Sequence, residues 1–240
     1  MEKKTHREAP SPEIPLQYLA DYMGASNQAR RSIVQKCKYK ALARTFQHQI
    51  ARKTITDHLL DGNPLPGDLA DKAEEIRNRI ADTPFDATLH GYNADFVDAF
   101  AAVSSTIDFS SFELVAPPEI ENPMYNGTIV RFTPSLLSYR TTKANTQKIG
   151  GIMFRYSKGT PLNEDVGGFQ AAFMYGFFTD SPFIEEAKPE RGLCRVICAL
   201  SGKVHTAPVK PIYKFNEMKA VCYDIAEKWE NIAPPSGAIL

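Results

Sequence analysis

Two long stretches of this chain have no acidic residue. No Asp or Glu occurs from Tyr22 to Thr56 or from Asn122 to Asn163, although Lys+Arg and Asp+Glu balance at 28 each over 240 residues. The first stretch carries Arg30, Arg31, Lys36, Lys38, Lys40, Arg44, Arg52 and Lys53, and the second Arg131, Arg140, Lys143, Lys148, Arg155 and Lys158. Between them, Asp57 to Glu121 has three basic residues against fourteen acidic ones, so a neutral total conceals blocks of opposite sign. Basic surfaces of this kind concentrate polyanions, of which phosphate backbones are the commonest. The competing reading is that the acidic segment folds back and neutralises both basic blocks.

Other absences narrow the class. No apolar run approaches the roughly 20 residues of a membrane span, and Met1 to Pro15 has no secretory hydrophobic region. A cytoplasmic protein without membrane contact is expected. Cys37, Cys194, Cys198 and Cys222 form no CxxC pair, and the apolar run at 193–200 would put Cys194, Val196, Cys198 and Leu200 on one strand face, which suits buried reduced thiols. His6, His48, His58, His90 and His205 show no HExxH or other ligand spacing. Ser201-Gly202-Lys203 lacks the glycine loop of a phosphate-binding motif, and no GxSxG elbow is present. No cofactor is expected.

What the chain does have is a change of periodicity along its length. Pro10, Pro12 and Pro15 mark a flexible tail over residues 1–15, followed by a basic helical region over 16–62. Within that region LADYMGASNQARRSIVQKCKY resembles a helix-turn-helix, with Ala20 and Gly24 four apart and Ile33 on the second helix, although Arg30 stands where that motif is apolar. The Pro/Gly cluster from Gly62 to Gly67 is a boundary. An α+β domain over 68–240 follows, with helices expected near 68–81 and 93–104. Strands are expected at 128–132, 136–140 and 149–156, then a helix over 164–178, strands at 193–200 and 203–207, and a helix over 216–231. Gly150-Gly151 suggests a bulge or a close backbone approach, and Gly167-Gly168 an easy entry to the following helix.

This order of helix, three strands, helix and strand resembles the PD-(D/E)XK nuclease-like superfamily, in particular its RecB-like and Cas4-like branch. The resemblance covers about Asn93 to Ala207. It rests on a third strand closed by Lys158 and a following helix carrying Phe169-Gln-Ala-Ala-Phe-Met-Tyr175, where the tyrosine comes five positions after Gln170 rather than four. It implies a mixed sheet flanked by helices with a restriction-endonuclease-like core, and roles for Lys158 and Gln170 if the domain is active. It also implies an Asp at the second strand and an acid two residues before the lysine, because two carboxylates must hold the divalent ion that activates water. Ser135 and Tyr156 stand at those positions.

The expectation is therefore a nucleic-acid-binding protein, for DNA or RNA, with an inactive nuclease-like domain and protein partners in a larger assembly. The expected contacts are Arg30, Arg31, Lys36, Lys38, Lys40, Arg44, Arg52, Lys53, Arg131, Arg140, Lys143, Arg155 and Lys158. A Mg²⁺-dependent nuclease with carboxylates relocated to Asp95, Asp98, Glu164 or Asp165 is one alternative. A protein-interaction scaffold is the other.

Overall fold

The structure is a computed structural model and describes residues 4–42, 48–62, 66–180 and 187–240. The N-terminal half contains β1 (His6–Glu8), β2 (Glu13–Pro15), α1 (Leu16–Met23), α2 (Asn27–Lys38), β3 (Tyr39–Ala41), α3 (Gln49–Leu60), α4 (Pro66–Arg77) and α5 (Pro84–Ser104). Then come β4 (Glu113–Val115), β5 (Met124–Tyr125), β6 (Thr128–Arg131), β7 (Leu136–Thr141), β8 (Gln147–Arg155) and α6 (Glu164–Asp180). The chain continues through β9 (Lys188–Pro189), a 3-10 turn at Arg191–Leu193, β10 (Arg195–Cys198), β11 (Val204–Thr206) and α7 (Pro211–Asn231). The fold is α+β, as expected. No helix among the described residues is long and apolar enough to cross a membrane.

The central sheet has the order β11-β10-β8-β7-β4, with β9 also paired to β8. Its β4, β7 and β8 form antiparallel pairs, β10 runs parallel to β8 through the α6 crossover, and β11 closes antiparallel on β10. Side chains of β8 alternate between two cores, as the strand period of two requires. Ile149 faces a core built with α1, α2, α6 and α7, while Ile152 and Phe154 face a core built with α3, α4 and α5. Aromatic residues of α6 fill the first core, with Phe173, Phe177 and Phe178 buried against Phe132 and Phe215.

Three expectations change. The segment 1–15 was expected to be a tail, yet β1 pairs with β3 and β2 pairs in parallel with β6, burying Ile14 completely. Prolines at a strand terminus do not forbid pairing when the missing N–H lies outside the ladder. Nor do 16–62 and 68–240 have separate cores, because α1 and α2 share one with α6 and α7, and α3 shares the other with α4 and α5; of the boundary cluster, residues 63–65 lie outside the described residues. Finally, Thr128–Arg131 is not the first strand of the central sheet. It belongs to a three-stranded sheet with β2 and β5, and β4 takes the expected place.

Local chemistry explains the element ends. The Ser26 side chain accepts from the Ala29 N–H at the start of α2, and Thr83 does the same for Asp86 before Pro84 opens α5. Asn126 and Gly127 both have positive φ, and they form the tight turn between β5 and β6.

A close approach fixes the partner of β8. Between the pairs Ile149↔Pro189 and Ile152↔Arg195, three steps along β8 face six along the incoming chain. The surplus is taken up by the 3-10 turn, which sets Leu193 against Gly150. A Cβ at Gly150 would sit 2.2 Å from the Leu193 carbonyl carbon. The buried Ser138 hydroxyl, on the paired strand β7, donates to the Leu193 carbonyl at 2.9 Å. Gly150 is thus a close approach, with the β7–β8 register unbroken. Gly167 lies inside α6 rather than at its entry, and accommodates the His205 ring, whose Cγ would be 2.4 Å from a Cβ there.

Gly150→Ala is expected to destabilise the fold by about 1–3 kcal/mol, since backbone would have to shift. Gly168→Ala, where a Cβ would meet only the Lys214 Nζ at an ordinary contact distance of 4.0 Å, is expected to stabilise α6 by up to about 1 kcal/mol. Denaturant unfolding of both variants measures the contrast, and equal stabilities would refute the close-approach account.

Candidate functional site at the carboxyl edge of β8

The last residues of β8 divide between the two sides of the sheet, and the polar side chains of the expected site divide with them. Arg155 lies toward α1 and α6. Its Nη1 donates to Gln170 Oε1 at 3.1 Å and to the Gln17 carbonyl at 3.0 Å, and its Nη2 donates to Asp21 Oδ1 at 2.8 Å. Gln170 is fully buried on α6, and its Nε2 donates to Met153 Sδ at 3.3 Å. Gln17 and Asp21 are four apart on α1, so they share a helix face.

On the other side, Tyr156 stacks on Phe96 of α5 with ring centroids 4.8 Å apart and planes at 12°. The His48 ring stands edge-on to both, at 5.5 Å from Phe96 and 5.9 Å from Tyr156. Lys158 Nζ donates to Asp95 Oδ2 at 2.9 Å. Arg77 lies 3.7 Å from Asp95 and 2.6 Å from Asp98. Asp95 raises the Lys158 pKa by hydrogen bonding and by its charge, while burial, reinforced by Asp95, raises the Tyr156 phenol. The two sides meet at Gln17, whose Oε1 accepts from Arg52 Nη2 at 3.3 Å; Arg52 lies in the first turn of α3.

Lys158 and Gln170 are therefore not brought together. The cation that Gln170 holds is Arg155, and Lys158 belongs to the α5 side. Ser135 lies one residue before β7, and its N–H donates to the Ile152 carbonyl at 2.8 Å. The β7–β8 pairing ends at Leu136↔Ile152, so Ser135 is set against Ile152 and not against Met153.

The other expected contacts are mostly engaged within the protein. Arg30 donates to the Tyr22 and Met23 carbonyls at 3.0 and 3.3 Å and so closes the C-terminus of α1. Lys38 is buried, with Nζ donating to the Trp229 carbonyl at 2.8 Å and Glu8 at 3.5 Å. Lys40 pairs with Glu13, which Arg131 approaches at 4.0 Å. Arg140 forms a two-point pair with Glu190 at 3.0 and 2.6 Å, and Lys53 pairs with Asp57 at 2.6 Å. Arg31, Lys36 and Lys143 are exposed and have no ion pair among the described residues. Arg44 lies outside the described residues. Neutralisation comes chiefly from Glu8, Glu13, Asp21 and Glu190, and not from the acidic segment, which supplies Asp57 and Asp95.

The four carboxylates considered for relocation are also paired. Asp95 and Asp98 meet Lys158 and Arg77, Glu164 meets Lys203 at 2.6 Å, and Asp165 meets Lys214 at 3.4 Å. Among the described residues, no group of three or more His, Cys, Asp or Glu is disposed to hold a metal ion. All four cysteines are buried and free. Sequence reasoning missed Gln17, Asp21, His48 and Phe96. Asp21 had a signal: it is the last acid before the first acid-free stretch, one helical turn after Gln17.

In comparison with known proteins, no family model matches the chain, and neither does any curated protein.

Two outcomes follow from this geometry. Lys38→Ala is expected to cost about 2 kcal/mol of stability through loss of a charged hydrogen bond, with any effect on ligand binding secondary; unchanged chemical unfolding would contradict the structural role. For pH, burial lowers the pKa of His48, His58 and His205, helped by Arg52, Lys72 and Lys203 respectively. A pKa lowered on folding means the unfolded chain binds more protons, so their stabilising contribution is complete above about pH 6.5 and is lost as pH falls below it. Thermal unfolding from pH 7.5 to 5 is expected to show a falling midpoint, and replacing the three histidines by Gln should flatten that slope.

Proposed function

We propose that this chain binds nucleic acid through the sugar–phosphate backbone at the carboxyl edge of β8, on a nuclease-like scaffold without the carboxylates of a metal centre. The observation that carries the reading is the central sheet itself. It has three antiparallel strands, β4, β7 and β8, followed by a helical crossover to a parallel strand, with Met153, Arg155 and Gln170 in contact at the carboxyl end of β8 and Ser135 bonded to the Ile152 carbonyl. In the resembled family the corresponding places are an Asp, an acid, a lysine and a glutamine. Here Met153-Phe154-Arg155 fits that triplet better than Tyr156-Ser157-Lys158, because Met153 and Arg155 both touch Gln170. A guanidinium can hold a phosphate in place, but a methionine and a serine cannot hold the ion that activates water.

Arg52, Arg155 and Lys158 supply positive charge at this edge, with Arg31, Lys36 and Lys143 as exposed cations elsewhere. DNA and RNA both fit such contacts, since phosphate contacts position a ligand without reading its sequence. Four buried thiols agree with a cytosolic setting. A protein partner is the second reading, favoured by an exposed apolar stripe on and before α7 at Val209, Ile212, Tyr213 and Tyr223.

Fluorescence anisotropy with labelled DNA and RNA at several salt concentrations tests the first reading. Saturable binding is expected, weakening log-linearly with salt by about one power per phosphate contact. No binding at low salt would leave the protein-partner reading in front. In Mg²⁺ or Mn²⁺ no strand cleavage is expected. Cleavage abolished by Asp95→Asn would establish a relocated metal site instead.

A further inference from the structure

Two guanidiniums from different parts of the chain converge on one residue. Arg52 Nη2 donates to the Gln17 side-chain oxygen at 3.3 Å, and Arg155 Nη1 donates to the Gln17 backbone carbonyl at 3.0 Å. Only Arg155 has a carboxylate, Asp21 at 2.8 Å. Among the described residues Arg52 has the neutral Gln17 oxygen and no acid. Asp95, the other carboxylate at this edge, is taken by Lys158 and Arg77.

The donor count shows what remains. A guanidinium has five N–H donors. Arg155 uses three, to Gln17, Gln170 and Asp21, leaving its Nε–H and one Nη2–H. Arg52 uses one, and its side chain stays accessible to solvent. Arg52 also belongs to the first turn of α3, the end at which the helix dipole favours an anion, although the Ala51 N–H there is capped by Asn93 Oδ1 at 2.9 Å and the Arg52 N–H donates to the His48 carbonyl. Crowding by protein and the like charge of Arg155 lower the Arg52 pKa, which an anion between them would reverse. Among the described residues the carboxylate beside this pair is Asp21, and it is bonded to Arg155 and not to Arg52.

We propose that Arg52 and Arg155, bridged by Gln17, form a metal-independent site for a phosphate group. The site refines the nucleic-acid reading by naming its phosphate contact. The same chemistry is offered by free phosphate, and the two sources are separable. Arg155 is anchored by Asp21 and Gln170 and sets the position, while Arg52 is the accessible arm that closes on the anion. Two tetrahedral oxygens reach the two guanidiniums, and the others remain open to solvent, as a diester backbone requires.

The test uses the full chain with EDTA present, inorganic phosphate as one probe and a short single-stranded oligonucleotide as the other, each followed by calorimetry at constant ionic strength. Wild-type protein is expected to bind both. Arg52→Gln should weaken both about tenfold, the loss of one charge-assisted contact, with an unchanged unfolding midpoint in chloride, and Arg52→Lys should recover part of the affinity. Arg155 is left intact because it holds Asp21 and Gln170. No phosphate binding by wild type, or equal affinity in Arg52→Gln, overturns the site. If phosphate binding is lost in Arg52→Gln while the oligonucleotide does not bind wild type, the site stands as a small-anion site and the nucleic-acid reading falls. If the oligonucleotide binds with salt dependence but neither probe responds to Arg52→Gln, the site is overturned and nucleic acid binds elsewhere.

Discussion

The interior residues of β8, from Ile149 to Phe154, must satisfy two cores at once, and most of the architecture follows from that constraint. A strand covered on both faces has no solvent side on which to place a polar residue, so its middle reads Ile-Gly-Gly-Ile-Met-Phe. Both of its edges are also occupied, by β7 on one side and by β9 and β10 in succession on the other. The second edge is filled by a chain with three residues too many for continuous pairing, so it breaks into a 3-10 turn. Gly150 gives Leu193 the space to lie flat against the sheet, and Ser138 supplies the donor that a buried carbonyl needs. Only at the end of the strand, from Arg155 onward, does polarity return, and that is where the charged and amide side chains collect.

The same constraint separates what was legible in the sequence from what was not. The runs that became β7, β8, β10 and α6 are long and apolar enough to be read directly, and the Asn126-Gly127 turn is encoded by residues that tolerate positive φ. Strand β4 is not legible. Glu-Leu-Val is three residues long and owes its conformation to pairing with β7, a tertiary contact with no local signature. The N-terminal strands were hidden by their own prolines. Pro15 ends β2 beside Arg131 of β6, a place where a ring without an N–H does no harm. The site was half legible: Arg155, Gln170 and Lys158 were named, but their grouping depends on where β8 leaves the sheet. Three residues past its end, Lys158 has turned to α5, and spacing along a chain that has left the strand period carries no information on which face it reaches.

Charge shows a related lesson. The competing reading of the charge pattern has an acidic middle segment neutralising two basic blocks, but neutralisation follows contact in space. Glu8, Glu13 and Asp21 belong to the segment read as a tail and to the helix after it, and it is the pairing of β1 with β3 and of β2 with β6, and the packing of α1 against α6, that bring them to Lys38, Lys40, Arg131 and Arg155. Pairs of this kind at partly exposed positions contribute little to stability individually. They matter more in what they leave over. Among the described residues expected as contacts, those without an ion pair are Arg30, which closes α1, the exposed Arg31, Lys36 and Lys143, and Arg52 at the β8 edge.

Arg155 is the residue on which the chemistry of that edge turns. A divalent ion at such a position polarises a phosphate and lowers the pKa of a bound water, whereas a guanidinium offers only fixed charge and directed donors. Gln170 makes the difference structural. Its oxygen is spent on Arg155 and its nitrogen points to the Met153 sulfur, so the buried amide is satisfied by two side chains that need no ion. A carboxylate introduced at Met153 would share Gln170 with Arg155, so the guanidinium would compete with any cation for it. On the proposed reading, the edge has exchanged a metal for an arginine: phosphate affinity is compatible with that exchange, and metal-dependent hydrolysis is not.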